Sequence, residues 1–330
     1  MSSTAPRPGS SPTSPPGLSP TSPPGLSPTS PPGSSPTSPP GLSPTSPLGP
    51  PSASAQAGAG SRRRSLHLVI GLMLVAIIAG GVLVSYFWLP FAPDDTSGGR
   101  LMPPGGDHLL GTDKLGRDLL TQLLIGGRIA LATALGAVAV GGILGVSFGL
   151  LAGFATRWLD DAAAVVLDIL IAFPTLLLAM LIVAGTGASL GTAILAIGLA
   201  MAAIVARLTR VLVKQVLGRD YITAARIAGI SWPRIVASHV LPNIAPVVLV
   251  NLALQAGLAV LAEASLSYLG LGTPPPNASW GRMLYEAQAT VLTAPAAALA
   301  PGLALVALVI GMNLTADGLR DLADPRRANR

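Results

Sequence analysis

The chain alternates long apolar runs with short polar interruptions, and the runs have bilayer length. They fall at about 66–89, 125–153, 162–184, 190–216, 244–268 and 294–316. At about 1.5 Å of rise per residue, each is long enough to cross a hydrocarbon core of about 30 Å as a helix. The pattern predicts an all-α, polytopic membrane fold with six transmembrane helices. The first run is too long for a secretory signal core.

The polar interruptions differ in character, and the one that organises the chain is the long polar and basic stretch at 220–243, DYITAARIAGISWPRIVASHVLPN. Its local chemistry predicts two short helices and a hinge. Asp220 is placed to cap the first helix, and Gly229 to end it in the left-handed conformation. Ser231 is placed to cap the second, with Pro233 tolerated in its first turn and Pro242 closing the unit. The paired small residues Ala224 and Ala225 would let another protein approach closely, while Arg219, Arg226 and Arg234 keep the segment in water. On this chemistry alone, a docking element and an ordinary loop between membrane helices are equally good readings.

The other membrane-flanking segments carry weaker signals. In 108–131, Thr112 or Asp113 could cap an amphipathic helix with Leu115, Leu119 and Leu123 on one face. The second apolar run places Ala137, Gly141, Gly145, Gly149 and Gly153 at intervals of four, which favours a close helix contact over a pore lining. Pro174 should kink the third helix. Two carboxylates fall inside apolar runs, Asp168 and Glu263, and such groups rarely face lipid. Asp168 lies near a helix end, so a nearby basic partner is preferred to a role in a translocation path. Near Glu263, the 263–284 segment is stiffened by Pro274, Pro275 and Pro276. Trp280 would anchor it at the interface, either as a rigid cap or as a contact for a delivering protein.

Composition sharpens this picture. The 330 residues are 50% hydrophobic and 10% charged, with no cysteine, which excludes an ordinary soluble domain, disulfides and thiolate chemistry. The formal charge of +6 follows the membrane and not nucleic acid. With the amino terminus inside, fifteen basic residues fall in cytoplasmic segments and five (Arg100, Lys114, Arg117, Arg128, Arg282) outside. Both termini and the 219–243 loop are therefore expected in the cytoplasm. Residues 1–60 form a separate region, in which SPTSPPGL recurs with a period of eight from Ser11 onward. It has too few apolar residues for a core and is expected to be a disordered, extended cytoplasmic tail, leaving 61–330 as the membrane domain.

Several strings resemble one family. A-A-x-x-x-G with a later L-P, carried by Ala224, Ala225, Gly229, Leu241 and Pro242, resembles the EAA loop of ABC-importer permeases. Thr223 occupies the position usually held by Glu, and His239 that usually held by Ile. The strings GTDKLGRD at 111–118 and DILIAFPTLLLA at 168–179 are similar to dipeptide, oligopeptide and nickel permeases of that group. The most specific match is EASLSYLGLGTPPPNASWGRML at 263–284, which resembles the C-type subunit. In all, the resemblance covers about 105–327.

The resemblance implies a prokaryotic cytoplasmic-membrane subunit that imports di- or oligopeptides, with nickel as the near alternative. It implies three kinds of partner besides lipid: a second homologous permease subunit, two cytoplasmic ABC ATPase subunits and an extracytoplasmic substrate-binding protein. Tyr221, Ala224, Ala225, Gly229 and Arg234 become the ATPase-coupling positions, and Trp280 and Gly281 candidates for contact with the binding protein. Asp168 and Glu263 remain charges of either the translocation path or the structure.

The chain itself offers no catalyst. It lacks the G-x-x-x-x-G-K-[ST] phosphate cradle, so ATP is expected to be bound by partners and no cofactor by this chain. His67, His108 and His239 have no metal-ligand spacing, and no nucleophile triad is visible. A secondary transporter would need inverted repeats and midplane ion ligands, neither of which appears.

Overall fold

The computed structural model describes residues 53–274 and 277–322. The octapeptide repeats, Pro275, Pro276 and the basic residues after 322 lie outside the described residues. Among the described residues there is no β-strand. The helices are α1 (Ala53–Ser85), α2 (Leu119–Phe154), α3 (Arg157–Ala172), α4 (Thr175–Thr186), α5 (Leu190–Leu217), α6 (Asp220–Ile227), α7 (Trp232–Ile235), α8 (Leu241–Tyr268), α9 (Trp280–Ala287) and α10 (Ala296–Leu322). A π turn, Val236–Val240, joins α7 to α8.

Five stretches are long and apolar enough to cross a membrane singly: 67–85 of α1, α2, α5, the unbroken helix Trp232–Tyr268, and α10. A sixth is reached when the pair α3 and α4, bent by 86° at its break, is counted as one span. Pro174 therefore does more than kink this span. A proline disfavours helical geometry in the residue before it, and Phe173 is indeed extended at φ −74°, ψ 129°. The helix stops there and a new one starts with Pro174 as its N-cap.

The second departure lies at the entry to α2. No amphipathic helix forms around Leu115. Instead Asp113 accepts from the backbone N–H groups of Leu115 and Arg117 in a compact turn, and Leu115 is exposed. The cap is Asp118, whose carboxylate accepts from Thr121 N at 2.7 Å. Asp113 spends its oxygens on the turn, so α2 starts six residues later than Asp113.

Packing inverts the soluble pattern, with small residues inside and large ones outside. On α2, Ala134 and Ala137 are fully buried while Leu135 and Leu151 are exposed, as expected where lipid is as apolar as leucine and close backbone approach holds helices together. The glycine stripe of α2 meets α5 along its length. A methyl group at Gly145 would lie 2.6 Å from Val205 Cβ, and one at Gly149 would lie 2.6 Å from Ala206 O. The stripe is a helix contact, not a pore wall. Gly71 of α1 and Gly311 of α10 make a second such seam.

Candidate functional site

Loops gather at the two ends of the bundle, and the end holding 219–243 presents the most distinctive surface. Helix α6 opens with Arg219 as its cap and Asp220 already inside the first turn, so Asp220 is not the cap. The helix ends in a Schellman arrangement: Gly229 N–H donates to Arg226 O at 3.0 Å and Ile230 N–H to Ala225 O at 3.1 Å. Gly229 sits at φ +78°, the left-handed conformation expected of it. A Cβ there would meet nothing within 4 Å, so the requirement for glycine is one of backbone strain alone.

The adjacent alanines face opposite ways. Ala225 is 9% exposed and packs with Ile222, Ile235 and Val213 in the core beneath the segment. Ala224 faces outward with Tyr221, Gly229 and Arg234. Four of the five positions expected to couple are thus exposed, and Ala225 instead seats α6 on the membrane domain.

The second half of the segment differs more. Ser231 is the cap residue of α7 but its hydroxyl makes no capping bond. Pro242 does not close the unit, because the chain stays helical from Trp232 to Tyr268. A proline within a helix clashes with the carbonyl four residues back, and the wider π turn at Val236–Val240 supplies the room just ahead of Pro242. Trp232, which the sequence reading passed over, is fixed in place. Its ring lies edge-on to Phe154 at 5.3 Å, with the Arg226 guanidinium 4.7 Å above it. Beside it runs a groove of about 720 Å³ lined by Leu151, Phe154, Leu217, Trp232 and Pro233.

Asp168 has the basic partner that was preferred for it: Arg207 Nη1 is 3.1 Å from its Oδ1, with both side chains more than half exposed. A stronger site was missed. Asp160, 5% exposed, takes hydrogen bonds from both Arg210 and Lys214. The signal was there, since Arg207, Arg210 and Lys214 recur at three and four residues along one face of α5. Together these pairs fasten α3 to α5.

At the opposite end, Glu263 is 1% exposed and accepts from Ser267 Oγ at 2.6 Å. No described Arg, Lys or His forms an ion pair with it. Trp280 is 2% exposed and its Nε1 donates to Leu123 O at 2.9 Å. Gly281 is buried where any side chain would run into the Ala264 backbone. Neither presents a surface, so both act as the seat that holds α9 against α2 and α8. Above them Arg117 bridges Asp113 at 2.7 Å and Glu286 at 2.9 Å, and Glu286 also pairs with Arg282.

Residues 145–329 match the family of the binding-protein-dependent transport system inner membrane component. The chain belongs to that family. It is 40% identical over 266 residues to a putative peptide transport system permease protein of Brucella suis biovar 1, covering 80% of this chain and 89% of that one. It is 37% identical over 261 residues to the dipeptide transport system permease protein DppC of Alkalihalophilus pseudofirmus, covering 79% and 84%. It is also 35% identical over 266 residues to the nickel transport system permease protein NikC of Escherichia coli K12, covering 80% and 95%. As a permease of this family the chain is a multi-pass membrane protein. The matched region, 145–329, includes the whole 219–243 segment, α9 and the part of the α2–α5 seam from Gly145 onward.

Proposed function

We propose that this permease forms half of the transmembrane path of an importer for di- or oligopeptides, coupled through 219–243 to a separate cytoplasmic ATPase. The observation that carries this is the outward face of α6. Tyr221, Ala224 and Gly229 stand exposed on a helix held from behind by Ile222 and Ala225, with Ile227 83% exposed at its tip. An exposed apolar tip on a rigid base is suited to a partner's cleft. The groove beside Trp232 extends the same surface.

In this reading ATP is bound by two ABC ATPase subunits, and the permease itself holds no cofactor. A second, homologous permease subunit completes the path. A substrate-binding protein delivers cargo at the other end, where the exposed Tyr285 and Leu292 beside the buried Trp280 offer contact. Residues 61–330 carry transport, residues 1–60 form a separate cytoplasmic tail, and both termini lie in the cytoplasm. Peptide cargo is favoured by the two relatives named for peptides. Nickel is the second reading, favoured by the relative named for nickel.

Two measurements test this. Purification of the intact chain in mild detergent should bring down a second permease and an ABC ATPase. A cysteine at Ala224 should then crosslink to the ATPase and to no other subunit. Co-purification of neither partner, or crosslinking at Ala224 to none, would defeat the proposal.

A further inference from the structure

A recess of about 230 Å³ lies between α4, α5 and α8. Leu176, Ile197, Met201, Leu258 and Ala262 give it apolar walls. Gln255 lines it too, on the same face of α8 as Leu258 and Ala262, at helical offsets of three and seven. It lies close to the midpoint of α8, it is 4% exposed, and its Nε2 has no hydrogen-bond partner. One turn earlier, the amide oxygen of Asn251 is likewise buried without a partner.

Two orphaned amides on consecutive turns of a membrane helix are hard to explain by stability. Leu or Met would fill the same space without a desolvation penalty. Polar groups inside membrane helices commonly mark a transport path. Apolar walls with a few directed polar groups are also the usual make-up of a small-molecule site. Of the two, only Gln255 lines the recess, and its free Nε2 is a donor, so its natural ligand is an oxygen acceptor. The lining carries no carboxylate, imidazole or other charge, which makes it a poor station for a bare cation and a suitable one for a neutral amide.

We propose that this recess is a cargo station of the translocation path. In it Gln255 Nε2 donates to a backbone carbonyl or terminal carboxylate of a passing peptide, while the apolar walls receive one side chain. The inference rests on the importer reading above and adds the contact that cargo makes in transit. A single neutral hydrogen bond suits transit, because a station must bind weakly enough to release.

The test uses the assembled importer in liposomes, with a labelled dipeptide, a labelled tetrapeptide and Ni²⁺ as probes. Gln255→Leu should lower peptide uptake by about tenfold, the scale of one lost hydrogen bond to cargo. ATP hydrolysis stimulated by the loaded binding protein should stay within about twofold, because the coupling end is untouched. A photo-crosslinking residue at Leu258 should capture the peptide during turnover and only with ATP present. Unchanged peptide uptake in Gln255→Leu, or no capture from Leu258 in an importer that moves peptide, overturns the station while leaving the importer reading intact. A wild-type complex that moves Ni²⁺ and neither peptide overturns the cargo reading and the station together.

Discussion

The indole Nε1 of Trp280 donates to the backbone carbonyl of Leu123 at 2.9 Å, joining the first turn of α9 to the first turns of α2. The ring itself lies against Gly126, where a methyl group would come within 2.5 Å of it, and close to Gly127. With Gly281, this residue seats α9 as a cap on that end of the bundle.

Trp280→Phe keeps most of the packing and loses the hydrogen bond, so it should lower stability by about 1 kcal/mol. Trp280→Ala leaves a cavity as well and should lower it by about 3–5 kcal/mol. Thermal unfolding in detergent would rank the two. Equal effects would mean that the bond, and not the ring, holds the cap.

Gly229→Val introduces a penalty of roughly 1–2 kcal/mol through backbone conformation alone, since no neighbour stands near. The chain should reach the membrane at normal abundance yet lose uptake. Gly229→Asn should retain more uptake, because Asn tolerates the left-handed region. The two alanines should separate: Ala224→Trp uncouples a stable protein, whereas Ala225→Trp overpacks the core under α6 and lowers abundance. Uptake and membrane abundance, measured side by side, decide the matter. Identical behaviour of the two alanine variants would contradict their opposite orientations.

The topology can be tested directly, because the chain contains no cysteine. Cysteines introduced at Ser231 and at Lys114 lie at exposed or half-exposed positions on opposite ends of the bundle. An impermeant thiol reagent applied outside intact cells should label the second and not the first. Labelling at position 231 would reverse the orientation proposed here.

Asp160→Ala leaves Arg210, itself only 15% exposed, without its carboxylate partner. A loss of about 2 kcal/mol is expected from the missing charged hydrogen bonds. Asp168→Ala should cost less, because both side chains of that pair are more than half exposed and no buried cation is left behind. Melting temperatures of the two variants would test this order, and a larger effect at Asp168 would overturn it.

Much of the fold was legible because membrane helices announce themselves by length and small-residue spacing. The α2–α5 seam follows from glycines at intervals of four, and the turn at Gly229 from the need for a residue without Cβ. What was not legible depended on competition between local options. Asp113 and Asp118 are both plausible caps, and only the turn that consumes Asp113 selects Asp118. The effect of Pro174 depended on how far Phe173 would follow it into extended geometry. Pro242 looked like a stop because a π turn upstream has no sequence signature of its own. Ala225 was read as surface, and Trp280 was left open between a rigid cap and a contact surface, because burial of a single small or aromatic residue is set by its neighbours across the chain, not by its own type.

The unbroken helix from Trp232 to Tyr268 spans 37 residues, about 55 Å of nearly rigid rod. One end stands beside α6, and the other adjoins the loop that leads to α9. A tilt of about 5° at the first end displaces the second by about 5 Å, more than the slack in a close-packed contact. The two surfaces of the membrane are in this sense mechanically one object. The π turn Val236–Val240 lies near its first end, so any movement carried along this helix from beside α6 to the opposite end passes through that turn.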